Sequence, residues 1–188
     1  MTRGSPPIAI AVFGSSEPTE GSPQYVEAFE VGRLLALSGF TVLNGGYGGV
    51  MEASARGARE AGGRTIGVTT RAFGFRPGAN PFIETELSEP DLHGRTRRLI
   101  EEASGFIVLR GRSGTLAELA FLWALRKADL LGPKPILLLG TVWEDLLAHL
   151  RRLGLLDPEA REACRLVPGP REAVETMERA LHAGPQAG

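Results

Sequence analysis

Residues 8–13 read IAIAVF and run into Gly14, Ser15 and Ser16. A short apolar run closed by small residues has the length of a strand and leaves no polar side for solvent. Strands buried on both faces read this way, and they belong to parallel sheets covered by helices. The pattern recurs outward from this stretch. Residues 41–43 (TVL) lead into a loop with five residues Gly45, Gly46, Tyr47, Gly48 and Gly49, and residues 65–68 (TIGV) lead into an irregular loop over 71–80. Residues 106–109 (FIVL) run into a polar turn over 110–114, while 82–86 and 135–139 read as two more short strands. Helices are predicted over 25–37, 50–61, 93–103, 115–128, 142–153 and 170–182. The first carries Val26, Phe29, Leu34 and Leu37 near helical period, with Gly39 as its stop. Strands alternating with helices predict an α/β fold with a doubly wound parallel sheet, helices on both faces and right-handed crossovers.

At 188 residues the chain suits one domain, and neither a linker nor an internal repeat divides it. Residues 1–7 and 184–188 are expected to be flexible. Hydrophobic residues make up 43% and charged residues 23%, an ordinary globular balance. The net charge of −1 supplies no long-range pull on nucleic acid or an anionic membrane, so neither is expected as a partner. No apolar run nears the roughly 20 residues of a membrane span, and residues 1–7 do not read as a secretory leader. Cys164 is the single cysteine, which excludes a disulfide framework and fits a reducing cytoplasm. His93, His149 and His182 are scattered without metal-ligand spacing, so no metal is expected.

Three loops follow strands and are rich in small residues: Gly14-Ser15-Ser16, the loop holding Gly45 and Gly46, and Gly111-Arg112-Ser113-Gly114-Thr115. Each brings backbone N–H groups towards a helix N-terminus, where an anion is favoured. Any one of them also reads as plain turn chemistry. Three at the carboxyl ends of one sheet point to a phosphate site. Neither the dinucleotide fingerprint nor the P-loop pattern is present. Arg95 lies in the first turn of its helix, and Arg95, Arg97 and Arg98 read equally well as a solvated face. Glu118, taken alone, reads better as ordinary charge near a helix N-terminus. Periodicity does not choose between these readings and a catalytic role.

The stretch Asp91-Leu92-His93-Gly94-Arg95, the strand 106–109, Gly111, and Gly114-Thr115-Leu116-Ala117-Glu118 resemble the LONELY GUY family. Its members are cytokinin-activating phosphoribohydrolases, often labelled lysine decarboxylases. Gly14-Ser15-Ser16, Gly45-Gly46, Gly49-Val50-Met51 and Gly62-Gly63 fit the same pattern, so the resemblance runs from about residue 12 to 147. It implies a Rossmann-like fold, places the catalytic arginine at Arg95 and the catalytic glutamate at Glu118, and puts the phosphate loop at Gly111, Gly114 and Thr115. The chain departs from the pattern at Arg110 (for proline), Arg112 (for the second glycine) and Thr96 (for lysine). Arg112 either obstructs the approach to phosphate or adds a cationic contact. A related branch, the molybdenum-cofactor carriers, binds a phosphorylated pterin without hydrolysing it.

Three functions follow as expectations. The first is hydrolysis of the N-glycosidic bond of a nucleoside 5′-monophosphate, with no cofactor. The second is non-catalytic binding of a nucleotide or the molybdenum cofactor. The third is a structural or interaction role that keeps only the fold. Lysine decarboxylation normally needs a lysine on pyridoxal phosphate, and Lys127 and Lys134 lie off the glycine loops. A homodimer or larger homo-oligomer is expected, partly from the resemblance and partly from Phe121, Leu122, Trp123 and Trp143. The plainer reading is that these residues face the sheet.

Overall fold

A computed structural model describes residues 7–74 and 78–182. All of the two ends expected to be flexible, apart from Pro7, lies outside the described residues, as does part of the 71–80 loop.

The elements run β1 (Ala9–Phe13), α1 (Pro23–Leu37), β2 (Thr41–Asn44), α2 (Val50–Glu60), β3 (Thr65–Thr70), β4 (Thr85–Glu89) and α3 (Leu92–Glu102). They continue β5 (Gly105–Val108), α4 (Ser113–Lys127), β6 (Ile136–Leu139), α5 (Val142–Arg152), α6 (Pro158–Ala163), β7 (Cys164–Val167) and α7 (Pro170–His182). The strands form one sheet in the order β4-β3-β2-β1-β5-β6-β7, every neighbouring pair parallel. The fold is the doubly wound α/β architecture read from the sequence.

The core explains why the central strands read as unbroken apolar runs. Ile10 and Val12 of β1, with Ile107 and Leu137, pack into a cluster with α1, α2 and α7. Ala9, Ala11 and Phe13, with Phe106, Val108, Ile136 and Leu138, pack into a second cluster with α3, α4 and α5. Alternate residues of one strand therefore fill opposite faces. On the first face, α1 and α2 approach so closely that a Cβ on Gly32 would lie 1.9 Å from the Ser54 carbonyl oxygen. One on Gly57 would lie 2.0 Å from that of Phe29.

The edges of the sheet depart from the sequence reading. The fourth strand begins at Thr85, three residues beyond the expected start. Phe82 lies before it with the Arg56 guanidinium 5.7 Å from its ring, and its carbonyl accepts a bond from Thr65 Oγ1. β4 is an edge strand, half-exposed and acidic, so its burial pattern is weak and its charges discourage edge pairing. α6 and β7 were not read from the sequence. α6 has six residues, and β7 has only its two end residues buried.

Candidate active site

The chain runs from β1 outward to β4, then returns to place β5 on the other side of β1. The loops after β1 and β5 leave in opposite directions, and a crevice opens between them beyond the carboxyl ends of the strands. A cavity of about 370 Å³ occupies it. All three glycine loops reach its wall, through Gly14, Ser15, Gly45, Arg112, Ser113, Gly114 and Thr115, and so do Arg95 and Glu118.

Arg95 is carried by α3. Asp91 caps that helix, its Oδ1 accepting from the Gly94 N–H at 2.8 Å, and the cap holds the Asp91 carboxyl below its usual pKa. From the first turn the Arg95 side chain reaches back over the sheet. Nε donates to the Val68 carbonyl at 2.8 Å and Nη2 to the Gly45 carbonyl at 3.2 Å. The guanidinium lies 5.6 Å from the centre of the Tyr47 ring. Gly45 makes this possible, since a Cβ there would fall 1.7 Å from Nη2. The three arginines of α3 therefore part company. Arg95 is buried, while Arg97 and Arg98 pair on the outer face with Glu101 and Glu102.

Glu118 lies one turn along α4 from Thr115, on the same helix face, and its Oε1 is 3.6 Å from Arg95 Nη1. Burial pushes the carboxyl up to about 7, against the opposing pull of the Arg95 charge. The two expected catalytic residues, distant in the sequence, thus meet at the cavity floor.

The N-terminus of α4 forms the adjoining wall. Arg112, at the capping position, makes no side-chain cap. Leu116 N–H donates to the Arg112 carbonyl at 2.9 Å, so the amides of Ser113, Gly114 and Thr115 precede the first intrahelical bond. An uncapped helix start facing a cavity favours an anion. The Arg112 side chain lines the cavity and is exposed, with Nη1 2.8 Å from Glu17 Oε1.

Two expected binding residues stand behind the wall. Gly111 supports Thr115, since a Cβ on Gly111 would lie 2.0 Å from Thr115 Oγ1. Gly46, at φ 78°, shapes its own turn, donating to Asn44 Oδ1 and accepting from the Asn80 N–H. Gly14 lines the cavity and also lets the loop after β1 pack on α2, where a Cβ would strike Val50. Ser16, of the first glycine loop, also lines the wall, as do Glu17, Tyr47, Met51 and Phe73, which the sequence did not single out as site residues. Tyr47 was the most visible of these, an aromatic set among four glycines. Neither lysine lines the cavity; Lys134 Nζ donates to the Ile100 carbonyl and Lys127 pairs with Asp157. Among the described residues no cluster of His, Cys, Asp and Glu could hold a metal ion, and no helix is long and apolar enough to cross a membrane.

A doubly wound parallel domain with an arginine–glutamate floor and an open helix start at its switch point defines a class: α/β domains with a polar crevice beyond the carboxyl ends of the strands. Within that class, residues 7–147 match the SLOG cluster4 family, and the chain belongs to it. A protein of Archaeoglobus fulgidus, itself uncharacterised, is 34% identical over 60% of this chain and 72% of its own length. A cytokinin riboside 5′-monophosphate phosphoribohydrolase of Mycobacterium tuberculosis is 35% identical over 61% of each chain, so the match spans under two thirds of that enzyme. Among solved structures, a Moco carrier protein of Chlamydomonas superposes with a TM-score of 0.69 at 25% identity, covering 95% of this chain and 99% of the other.

Proposed function

We propose that this chain hydrolyses the N-glycosidic bond of a nucleoside 5′-monophosphate, releasing the base and ribose 5-phosphate. The observation that carries the reading is the Glu118 carboxyl, buried beside Arg95 and one helical turn from an open α4 N-terminus. The first-turn amides and the Thr115 hydroxyl hold the 5′-phosphate, so that binding remote from the reacting bond supports the transition state. This sets the anomeric carbon near Glu118. As the bond to the base breaks, positive charge develops on the sugar ring, and a carboxylate facing it stabilises that charge. Water adds at the anomeric carbon as the bond to the base breaks, Glu118 takes up the proton that water gives up, and that proton passes to the departing base nitrogen, which returns Glu118 to a carboxylate. A carboxyl near pH 7 exchanges protons in either direction at neutral pH. Arg95 fixes the orientation of Glu118 and keeps its ionised form accessible. The name of the mycobacterial relative supports this reading.

The test is base release from a panel of nucleoside 5′-monophosphates and the matching nucleosides. Release from at least one monophosphate, with its nucleoside inert, is expected. The likeness to the Chlamydomonas carrier favours a second reading, non-catalytic binding of a phosphorylated pterin in the same cleft. Tight pterin binding with no base release from any monophosphate would establish that reading and remove the first.

Self-association belongs to the same proposal. Leu122 and Trp143 are buried and Trp123 is half-buried, so these residues face the interior. Phe121 instead lies with Leu116, Ala117, Ala120 and Ala124 on an exposed, uncharged face of α4. A second copy meeting this face through a two-fold axis would cover like with like. Phe121→Lys is expected to convert a dimer to a monomer by light scattering; a wild-type monomer at micromolar concentration contradicts it. The single cysteine, buried and free, supports a cytoplasmic setting, which cell fractionation would check.

A further inference from the structure

The ion pair at the mouth joins two loops 95 positions apart in the sequence, the one after β1 and the one that opens α4. Arg112 occupies the capping position of α4. A cation there opposes the helix dipole, and its side chain offers the helix no cap. What it has is a carboxylate, Glu17, and both residues line the cavity. Glu17 is held in place from its own loop, its N–H donating to Ser15 Oγ at 3.2 Å. The resting cleft thus already pairs its mouth cation with an internal anion. A phosphate arriving at the α4 N-terminus brings up to two negative charges to the loop that carries Arg112. A guanidinium binds phosphate oxygens through charge-assisted, often bidentate bonds, so phosphate competes well for a carboxylate's place.

We infer that Glu17 is the resting occupant of Arg112, that a ligand phosphate takes its place, and that Arg112 favours phosphorylated ligands while competition from Glu17 tempers that preference. The inference rests on the reading of the cleft as a phosphate site, and it holds equally for a hydrolase and a carrier. A neutral nucleoside cannot release Arg112 from Glu17, so it meets a closed pair. An exposed pair is worth roughly 1 kcal/mol or less, so the exchange adjusts affinity without blocking entry.

The experiment is a double-mutant cycle with adenosine 5′-monophosphate, adenosine and inorganic phosphate as probes, read by calorimetry on the full chain. Glu17→Gln is expected to tighten monophosphate and inorganic phosphate binding by about threefold and to leave adenosine unchanged. Arg112→Gly should weaken the monophosphate by about tenfold. In the Arg112→Gly background, Glu17→Gln should have no effect. An equal gain from Glu17→Gln with and without Arg112 overturns the inference, because it marks general repulsion of the phosphate by Glu17. Unchanged or weaker phosphate binding in Glu17→Gln overturns it as well. A wild type that binds neither phosphate probe overturns the phosphate-site reading and this inference together. Phosphate binding without coupling overturns the inference alone.

Discussion

The floor and the mouth of the cleft each hold an arginine beside a glutamate. At the floor, Arg95 and Glu118 are 3.6 Å apart, with side chains 10% and 14% exposed. At the mouth, Arg112 and Glu17 are 2.8 Å apart, with side chains 77% and 55% exposed. Distance alone would rank the mouth pair as the stronger. The dielectric reverses that order, because water screens the exposed charges and protein does not screen the buried ones to the same degree. At the floor, burial pushes the Glu118 carboxyl up to about 7 against the opposing pull of Arg95. The same two side chains thus suit proton transfer in one place and an exchangeable anion contact in the other.

Breaking the floor should have the largest consequence. Arg95→Ala removes the bonds to the Val68 and Gly45 carbonyls and leaves Glu118 without its cation. Loss of one partner of a buried pair commonly costs about 3–5 kcal/mol; here about 2–3 is expected, because Glu118 escapes by taking up a proton. Urea denaturation at pH 7 measures this, and a change below about 0.5 kcal/mol would show that Arg95 is not bound as described.

Gly45→Ala probes the same floor without touching a charge. The new Cβ falls 1.7 Å from Arg95 Nη2 and 2.7 Å from Met51 Sδ, so the guanidinium must leave its seat. A stability loss of about 1–2 kcal/mol is expected, together with at least tenfold lower turnover. Gly45→Ala with wild-type turnover would show that the seat of Arg95 is not needed.

The pH dependence of stability sharpens the contrast between floor and mouth. Folding raises the Glu118 carboxyl from an ordinary 4.5 to about 7, so the native state binds the extra proton between those values. Its contribution is full below about pH 4.5 and is lost as pH rises through about 7, a span of up to about 3 kcal/mol. Denaturation curves of Glu118→Gln should be flatter than wild type between pH 5 and 8. Parallel curves would place the Glu118 carboxyl in water. Glu17→Gln, by contrast, should shift stability by less than about 1 kcal/mol.

How much of this was legible follows from burial. β1, β5 and β6 are covered on both faces, so their sequences are apolar without a break, and periodicity finds them. β4 and β7 lie at the edges and bury little, so the first was misplaced by three residues and the second missed. The three glycine loops were visible as turns, but only the strand order brings them to one crevice. Arg95 could not be told from Arg97 and Arg98 by period, because what separates them is a reach across the sheet to Val68 and Gly45. The resemblance singled it out together with Glu118. Gly45, expected to face the ligand, also makes room for the Arg95 guanidinium. Glu17 carried no signal, because its partner is 95 positions away and no local pattern links them.

The central claim is that the Glu118 carboxylate acts on the glycosidic bond while the phosphate is held elsewhere. The direct measurement is base release and equilibrium binding of one nucleoside 5′-monophosphate, with wild type and Glu118→Gln side by side at pH 7.5. The amide keeps the shape and hydrogen bonding of the side chain and loses its charge and its proton chemistry. Turnover should fall by about 100-fold or more with binding changed less than about threefold, because the phosphate contacts lie on the first turn of α4. Wild-type hydrolysis that survives the substitution intact would contradict the account.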